Sequence, residues 1–454
     1  MTLFNSILSQ RVMRANIGNI SSIMMKAASI IVTFISLPMI LNNIGGYQFG
    51  VYATLLSVIT IFGLLDFGVS NGSVVRISQV FHSQDLNKVG KMVTALFLLT
   101  FAQFTFVLVL GGFFYSGLVN FNGLALEDNS SQNWNHLIGL CLAFVSITIV
   151  INLPQKILLA INESNKSSFV NLSSVITASI GALIGSFLQN PIEKMILIAL
   201  TMQMALGLVA YIHLLLQLKK KNIVNSIPSR LMLISTLAGG KSYILLQGLA
   251  IIGSQLPTLL IFNLLSPIEV SLYFTTFKLV SLPVGFTVFF FQSLWPLIAG
   301  KMAVHNFEEA NDLYTSKLRV ALLIAGLSLI WNISLGGHLV STWTSGKVQP
   351  SFALVFLLSV NVSLVILLQP ILFTLNGLEE YGRIIMWTLT YLVVSTFATY
   401  ILCPLLGVVG TTLSTVIFLT ILQLLPFYFY IKKEFREKLI IKTTSNKNVP
   451  AHDV

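Results

Sequence analysis

Charged residues are scarce in this sequence, and their scarcity excludes a soluble protein. Asp, Glu, Lys and Arg together make up 9% of the 454 residues, whereas soluble domains average about 25%. Hydrophobic residues reach 55% and the mean hydropathy is +0.87. Such a chain is a polytopic membrane protein, with short connections between spans of about 20 apolar residues. No length remains for a large domain outside the membrane.

Cysteine and catalytic groups are also few. Cys141 and Cys403 are the 2 cysteines and lie in apolar runs, which excludes a disulfide framework and a thiolate metal site. No Ser/His/Asp cluster, metal-ligand spacing or phosphate-binding glycine loop occurs. The longest outside loop, about 118–135, holds Glu127 and Asp128 but no Lys, Arg or His. We therefore predict no catalytic residues, no metal and no cofactor, with coupling to H⁺ or Na⁺ left open.

What the sequence does contain is a series of long apolar runs. They predict an all-α protein with about twelve transmembrane helices in two six-helix lobes. The predicted spans are residues 16–40, 48–69, 92–118, 136–160, 168–189, 194–217, 240–265, 268–299, 317–340, 351–376, 382–404 and 406–431.

The basic residues predict the orientation of these helices. If both termini are cytoplasmic, only Lys194 and Lys347 of the 26 Lys and Arg lie outside, while Lys26 and Lys278 lie within spans. This asymmetry follows the positive-inside rule. The net charge of +11 therefore reports topology, and nucleic acid is not a predicted partner.

Two weak internal matches, each six helices apart, predict a duplication. The segment Ile157–Lys166 after helix 4 resembles Ile371–Glu380 after helix 10, and Gln48–Tyr52 resembles Glu269–Tyr273. Parallel repeats of this kind are a transporter architecture, with the substrate site between the halves. The predicted organisation is an N-lobe over 1–217, a basic linker over 218–237, a C-lobe over 238–431 and a basic tail over 432–454. We expect the tail to contact anionic membrane lipids.

Helix 1 carries a polar stripe. Its members recur every three or four residues and share one helix face. They are Asn19, Ser22, Lys26, Ser29, Thr33 and Ser36. One interpretation is a wet cavity that contacts substrate; the other is a packing seam of small polar residues, with Lys26 extending to the interface.

Lys278 lies near the middle of predicted helix 8, with Thr275 broadly on its face. A lysine at mid-membrane costs about 2.5 to 3.5 kcal/mol on insertion scales, which calls for an anionic partner or a function. The only nearby acidic candidate is Asp66 at the end of helix 2, where a pair with Arg76 or Lys26, or a turn cap, is the favoured role. Two cations without a counter-charge, one in each half, predict an anionic substrate group such as phosphate.

Other polar residues are weaker candidates. Gln247 in helix 7 is suited either to hydrogen bonding with a hydroxyl-rich substrate or to contacts between helices. Lys241 is a third candidate cation, at the cytoplasmic entrance. Five prolines within the predicted spans, Pro154, Pro257, Pro283, Pro296 and Pro370, favour bent helices, which suit either alternating access or static curvature.

Several segments resemble one family. They are Leu41–Tyr52, which includes Gly50 and Tyr52, then Leu64–Gly68 with Asn71 and Gly72, Phe291–Pro296, and Leu375–Gly377. Together they resemble the multidrug/oligosaccharidyl-lipid/polysaccharide exporter superfamily, and within it the O-antigen and polysaccharide flippases of the Wzx family. The first segment is similar to the family's hinge between helices 1 and 2, with Gly46 and Tyr47 where acidic residues are common.

The resemblance implies a V-shaped transporter of the bacterial inner membrane. It implies that an undecaprenyl-diphosphate-linked glycan, a repeat unit of O-antigen, lipopolysaccharide or another surface polysaccharide, is turned from the cytoplasmic to the periplasmic face. A polysaccharide polymerase is then a partner to expect. Lys26 and Lys278 would hold the diphosphate, and Asp66, Gly50 and Tyr52 would have structural or gating roles. The alternatives are a cation-coupled drug exporter, disfavoured by the lack of mid-span carboxylates, and a membrane oligosaccharide polymerase.

Overall fold

The computed structural model describes the backbone of residues 2–66, 69–82, 84–118, 134–223, 226–230, 232–233 and 241–447. Side chains are described over the same ranges except 2–27, 69–72, 75, 82, 164, 241–244, 289 and 441–447. Within these ranges the chain is helical and contains no strand. This confirms the prediction of an all-α polytopic membrane protein.

The first compact unit, Met1–Gly248, contains most of the first seven helices. They are α1 Thr2–Phe62, α2 Val69–His82, α3 Leu86–Tyr115, α4 Trp134–Ala160, α5 Ser164–Gly185, α6 Pro191–Lys220 and α7 Lys241–Leu264. A 3₁₀ turn, Gly63–Asp66, follows α1.

The second unit, Leu249–Val454, begins within α7. Its helices are α8 Pro267–Val280, α9 Leu282–Phe291, α10 Leu294–Ala303, α11 Phe307–Trp331, α12 Gly337–Trp343, α13 Phe352–Gly377, α14 Tyr381–Leu406, α15 Val408–Leu419 and α16 Leu425–Lys447. Single π-helical turns occupy Asn332–Gly336 and Thr420–Leu424. The predicted lobe limits at 217 and 238 stay a prediction.

The predicted spans agree with the helices, with two informative exceptions. Ten helices in the described ranges are long and apolar enough to cross a membrane. In that count α1 is one helix, although it is interrupted at Gly45, whose φ of 78° and ψ of 167° are not helical. Glycine adopts this conformation without steric penalty, so the predicted boundary between helices 1 and 2 lies there.

The second exception is predicted helix 8, which was wrong as a single span over 268–299. The structure divides it into α8, α9 and α10, each shorter than a membrane crossing. The two breaks lie close to residues that interrupt a helix, because Pro283 and Pro296 lack a backbone N–H. Helical structure also extends beyond two of the predicted spans, helix 2 and helix 12. Residues 69–82 form α2, and α16 remains helical to Lys447.

The core of the first unit explains the packing of its helices. Val89, Val93 and Leu96 of α3 pack with Leu153 and Ile157 of α4, and all five are buried. A second cluster joins α3 and α4 to the end of α1.

Helices α5 and α6 of this unit approach closely at two glycines. A Cβ at Gly181 or Gly185 would lie 2.5 Å from the α6 backbone. This is the small-residue spacing by which membrane helices pack without a hydrophobic driving force.

The second unit is built around α13. This helix packs against α10, α11 and α15 along much of its length, and it also contacts α8 and α9. Its buried face mixes leucine and valine with hydroxyl and amide side chains, including Ser359, Asn361 and Gln369. Cys141 and Cys403 are buried free thiols, in agreement with their predicted role as small core residues.

Candidate functional site

The break between α8 and α9 interrupts the regular backbone hydrogen bonding of predicted helix 8. Ser281 ends α8 and begins α9. Its backbone N–H donates to the Phe277 carbonyl at 2.9 Å, whereas the N–H of Val284, which follows Pro283, donates to Ser281 O at 3.0 Å. Since Pro283 has no N–H, the regular i to i−4 pattern is lost, and carbonyls at the end of α8 need other donors.

Two amide side chains from neighbouring helices donate hydrogen bonds to backbone carbonyls at this break. Asn332 is 1% exposed, and its Nδ2 donates to the Val280 carbonyl at 3.1 Å. Gln369 of α13 donates from Nε2 to the Val284 carbonyl at 3.4 Å. Asn332 also begins the π-helical turn after α11, a distortion that is frequent at functional sites. The break is therefore a supported feature of the second unit.

Lys278 lies in the last turn of α8, directly before this break. Its side chain is exposed, and its Nζ lies 5.0 Å from the centre of the Phe274 ring. Within the described ranges no carboxylate oxygen lies within the 4.0 Å ion-pair distance of Lys278. Among the residues that the structure describes, the site is thus a cation without a carboxylate partner.

Thr275 does not share the environment of Lys278. It is fully buried, and Ser271 one turn earlier is 2% exposed. Neither hydroxyl oxygen has a hydrogen-bond partner among the described atoms. Direct contact of Thr275 with substrate stays a prediction, and it would require its buried surface to open.

The described part of the helix 1 stripe lies in a packed interface. Ser29 is 7% exposed and Ser36 is 5% exposed, whereas Ile31 and Ile35 on the other side are each 56% exposed. Helix α1 packs against α4 and α5. This burial favours the packing seam for the described residues. The side chains of Asn19, Ser22 and Lys26 lie outside the described ranges.

Asp66 interacts with α3 and α4, and its expected pair with Arg76 or Lys26 stays a prediction. Its backbone carbonyl accepts a hydrogen bond from Gln103 Nε2 at 2.9 Å. Its carboxylate interacts electrostatically with Lys156 of α4. The positive-inside pattern counts Lys156 among the cytoplasmic cations, but the structure places it half-buried within α4. The sequence signal for this placement is that Lys156 follows Pro154 inside an apolar run.

The remaining predicted residues have clear local environments. Gln247 is half-buried and hydrogen-bonded, while the side chain of Lys241 lies outside the described ranges. The Gly50 carbonyl accepts a hydrogen bond from Thr54 Oγ1 at 2.9 Å. The Tyr52 ring lies 6.4 Å from that of Phe49. A gating role for Gly50 and Tyr52 stays a prediction, and the break itself is at Gly45.

The turns after α4 and α13 end their helices in the same way. Asn162 and Glu379 both have positive φ, of 62° and 61°. The next N–H in each turn closes the helix end: Glu163 N donates to Leu158 O, and Glu380 N to Leu375 O. This ending matches Glu163 with Glu380, but α6 and α10 end in the same way, so the predicted repeat and its alignment of Asn162 with Asn376 stay a prediction.

The two matched carboxylates also bind their surroundings alike. Glu163 pairs with Lys166 at 3.1 Å and with Lys221, after α6, at 3.2 Å. Burial raises the pKa of Glu163, but hydrogen bonds from these two lysines and their charges hold it below its usual range. Glu380 pairs with Arg383 at 3.0 Å and accepts a hydrogen bond from Tyr430 of α16 at 2.7 Å. Each carboxylate thus fixes the last helix of its half.

Comparison with known proteins identifies the fold. No protein-family profile and no curated protein sequence matches this chain. Among solved structures, it is similar to the inward-facing conformation of a multidrug resistance MATE family transporter of the MOP superfamily. The TM-score is 0.71 at 13% identity, over 92% of this chain and 98% of the other.

Two further structures show the same likeness. The lipid II flippase MurJ in its inward closed conformation gives a TM-score of 0.70 at 13% identity, over 96% of this chain and 94% of the other. An outward-facing MATE family transporter gives 0.58 at 14% identity, over 94% and 96%. The chain therefore shares the fold of these MATE and MurJ structures, as its sequence resemblance indicated.

Proposed function

We propose that this protein is a flippase for a polyprenyl-diphosphate-linked oligosaccharide. It moves a surface-polysaccharide repeat unit from the cytoplasmic to the periplasmic leaflet of a bacterial inner membrane by alternating access, with both termini cytoplasmic. The carrying observation is Lys278, an exposed cation in the membrane without a carboxylate partner in the described ranges.

The depth of Lys278 supports an anionic substrate. It lies about 17 Å along α8 from Pro267, at 1.5 Å per residue, which is near the middle of a 30 Å hydrocarbon layer. The Phe274 ring stabilises its ammonium by about 0.5 to 1 kcal/mol, less than the cost of about 2.5 to 3.5 kcal/mol for a lysine at this depth. A diphosphate supplies the missing negative charge, because a lysine binds phosphate as a point charge.

The break after Lys278 supports a substrate site at this position. Non-helical backbone at membrane depth is tolerated where it is buried in protein or lines a water-filled cavity. Here the break is supported on its protein side by Asn332 and Gln369, while Lys278 remains exposed. Lys26 and Lys241 would add positive charge in the first unit, and Gln247 would contact sugar hydroxyls.

The similarity to MurJ, whose name describes a lipid II flippase, supports a lipid-linked glycan as substrate. The similarity to MATE transporters favours the second candidate, a cation-coupled drug exporter. A drug exporter that binds cations needs an intramembrane carboxylate, and Asp66 is already engaged electrostatically by Lys156. An undecaprenyl-linked glycan also explains the cation at Lys278, which a cationic drug does not. We therefore favour a transporter without enzymatic activity and with a glycan polymerase as a functional partner.

Binding and transport experiments separate the two candidates. Purified full-length protein is titrated with undecaprenyl diphosphate, undecaprenol or ethidium, and binding is measured by native mass spectrometry. We expect the diphosphate to bind most tightly, and Lys278→Ala to weaken it at least tenfold. The matched control is Lys317→Ala, which removes another lysine held over a phenylalanine, 4.2 Å from the Phe290 ring.

The opposite pattern contradicts the flippase. Tight ethidium binding, unaffected diphosphate binding in Lys278→Ala, and ethidium export from cells that express the protein would together identify a drug exporter. A reconstituted vesicle assay completes the test. It measures whether an undecaprenyl-diphosphate-linked disaccharide on the inner leaflet becomes accessible to a glycosidase added outside.

A further inference from the structure

A pocket of about 410 Å³ lies between the first turn of α3 and the linker that follows α6. Its lining includes Lys88 and Lys91 of α3 and the linker residues Ile227 and Ser229. All of these residues belong to the first unit. The pocket is therefore separate from the break beside Lys278, which belongs to the second unit.

The local structure holds this pocket in a defined shape. Asp85 caps α3, and its Oδ1 accepts a hydrogen bond from Lys88 N at 3.0 Å. Val89, Met92 and Val93 of α3 are buried in the unit's core, so Lys88 and Lys91 lie one turn apart on another side of the helix.

The linker is attached to α3 by both polar and apolar contacts. Ser226 Oγ donates to Asn87 Oδ1 at 3.1 Å. Met232 packs against the core cluster that contains the buried face of α3. The linker therefore forms a wall of the pocket.

The polar lining of the pocket has one carboxylate, Asp85, whose Oδ1 accepts from Lys88 N, and otherwise consists of groups that can donate. In the described ranges, neither Lys88 nor Lys91 has a carboxylate oxygen within 4.0 Å. Asn87 uses its carbonyl oxygen toward Ser226 and keeps its amide N–H groups. Ser229 Oγ accepts from Met232 N at 3.3 Å and keeps its proton. Two ammonium groups, an amide and a hydroxyl form a donor set for a phosphate.

The position of Ile227 indicates that the phosphate belongs to a membrane lipid. Its side chain is 90% exposed and lies on the lining of the same pocket. Helix α3 is a membrane-spanning candidate that starts at Leu86, so the pocket is at the level of lipid headgroups. An apolar side chain beside a cationic pocket at this level suits a ligand whose chain is in the membrane.

We propose that this pocket binds the phosphate-bearing headgroup of an anionic glycerophospholipid. Lys88 and Lys91 contact the phosphate oxygens, Asn87 and Ser229 donate hydrogen bonds, and Ile227 inserts beside the first carbons of the acyl chains. The site belongs to the leaflet that the basic residues predict to be cytoplasmic. It is independent of Lys278, and it ties the linker that follows α6 to anionic lipid.

The test is lipid binding to the full-length protein. Binding of dioleoylphosphatidylglycerol and of zwitterionic dioleoylphosphatidylcholine is measured by native mass spectrometry in detergent. We expect the combined substitutions Lys88→Gln and Lys91→Gln to weaken the tightest phosphatidylglycerol site about 30-fold, because each lysine near an anionic surface contributes about fivefold. The single variant Lys91→Gln should weaken it about fivefold.

The matched control removes two lysines outside the pocket. Lys219 and Lys220 are exposed near the end of α6, so Lys219→Gln with Lys220→Gln makes the same change in charge. Equal weakening by this control, or unchanged binding in the pocket variants, overturns the proposal. If the double variant does not fold, the fivefold change in Lys91→Gln decides.

Ile227→Ser separates a lipid from a soluble phosphate. We expect it to weaken phosphatidylglycerol binding and to leave sn-glycerol 1-phosphate binding unchanged. If glycerol phosphate binds the wild type as tightly as the lipid does, the acyl chains contribute nothing and the lipid assignment is wrong.

Discussion

Asn332 Nδ2 and the Val280 carbonyl oxygen lie 3.1 Å apart and form a buried hydrogen bond across two helices of the second unit. The bond satisfies a carbonyl at the break that follows Lys278. The approach of the two segments is close, because a Cβ on Gly336 would lie 3.8 Å from the Val280 side chain. The position of Lys278 therefore depends on a residue more than fifty positions later in the chain.

Asn332→Leu should destabilise the second unit. It leaves the Val280 carbonyl buried without a donor, which costs roughly 1 to 3 kcal/mol, and the melting temperature measured by scanning fluorimetry should fall. Asn361→Leu is the control, since Asn361 is also buried, at 7% exposure. Pro283→Ala removes the ring that interrupts the helix, so the Val284 N–H can move from Ser281 O to the Val280 carbonyl, and the effect of Asn332→Leu should be smaller in that background. Equal effects in both backgrounds would show that Asn332 acts by packing alone.

Lys278→Ala should remove activity without reducing stability. A lysine at mid-membrane is unfavourable for folding, so its removal should leave the melting temperature unchanged or raise it. Transport in the vesicle assay should be lost, and Lys278→Arg should retain part of it because the charge remains. A fall in melting temperature together with the loss of transport would indicate a structural role.

Lys26 distinguishes a substrate contact from a packing seam in helix 1. If its charge contacts the diphosphate, Lys26→Gln should reduce transport more than Lys26→Arg does. We expect at least a tenfold difference between the two variants in the vesicle assay, because one charged contact contributes about 1.5 to 3 kcal/mol. Equal transport by wild type, Gln and Arg would favour the packing seam.

The Glu163 cluster should make stability depend on pH in a defined direction. Its carboxyl pKa is lowered in the fold by Lys166 and Lys221 against the opposing effect of burial. A lowered folded pKa means that the stabilisation is present above the unfolded value, about 4.3 for glutamate, and is lost as the pH falls through the folded value. The melting temperature of wild type should exceed that of Glu163→Gln at pH 7, and this difference should shrink below about pH 4.

The control for that prediction is Glu437→Gln. Glu437 pairs with Lys433 at 3.7 Å, and both side chains are more than half exposed. Exposed pairs of this kind contribute about 0 to 1 kcal/mol, so this variant should match the wild type across the pH range. A similar pH profile for both variants would indicate a general charge effect.

The interruption of α1 predicts different effects at two adjacent glycines. Gly45 has a φ of +78°, whereas Gly46 has no positive φ, and a Cβ added at either position would have no neighbouring atom within 4 Å. Gly45→Ala should therefore destabilise by about 1 to 2 kcal/mol, while Gly46→Ala should be neutral. Melting temperatures of the two variants measure the difference. If they are equal, the backbone at Gly45 relaxes without cost.

The sequence by itself determined the class of protein and most limits of its helices. A run of apolar residues long enough to cross a bilayer has few structural alternatives to a helix, because backbone groups without hydrogen bonds cannot remain in hydrocarbon. The interruption near Gly45 could also be predicted from the residues of one local segment.

The tertiary structure decided the features that depend on distant residues. Pro283 marks a place where a helix can break, but the Val280 carbonyl there is bonded by Asn332 from a distant segment. Gln369 adds a second bond to the Val284 carbonyl, which Thr287 also bonds. Asp66 faces Lys156 because α1 and α4 pack together, and no spacing in the sequence predicts that pair. Likewise, Ser29 and Thr275 are polar and periodic in the sequence, yet both are buried. Periodicity identifies one face of a helix, and only the packing of neighbouring helices determines whether that face meets protein, lipid or water.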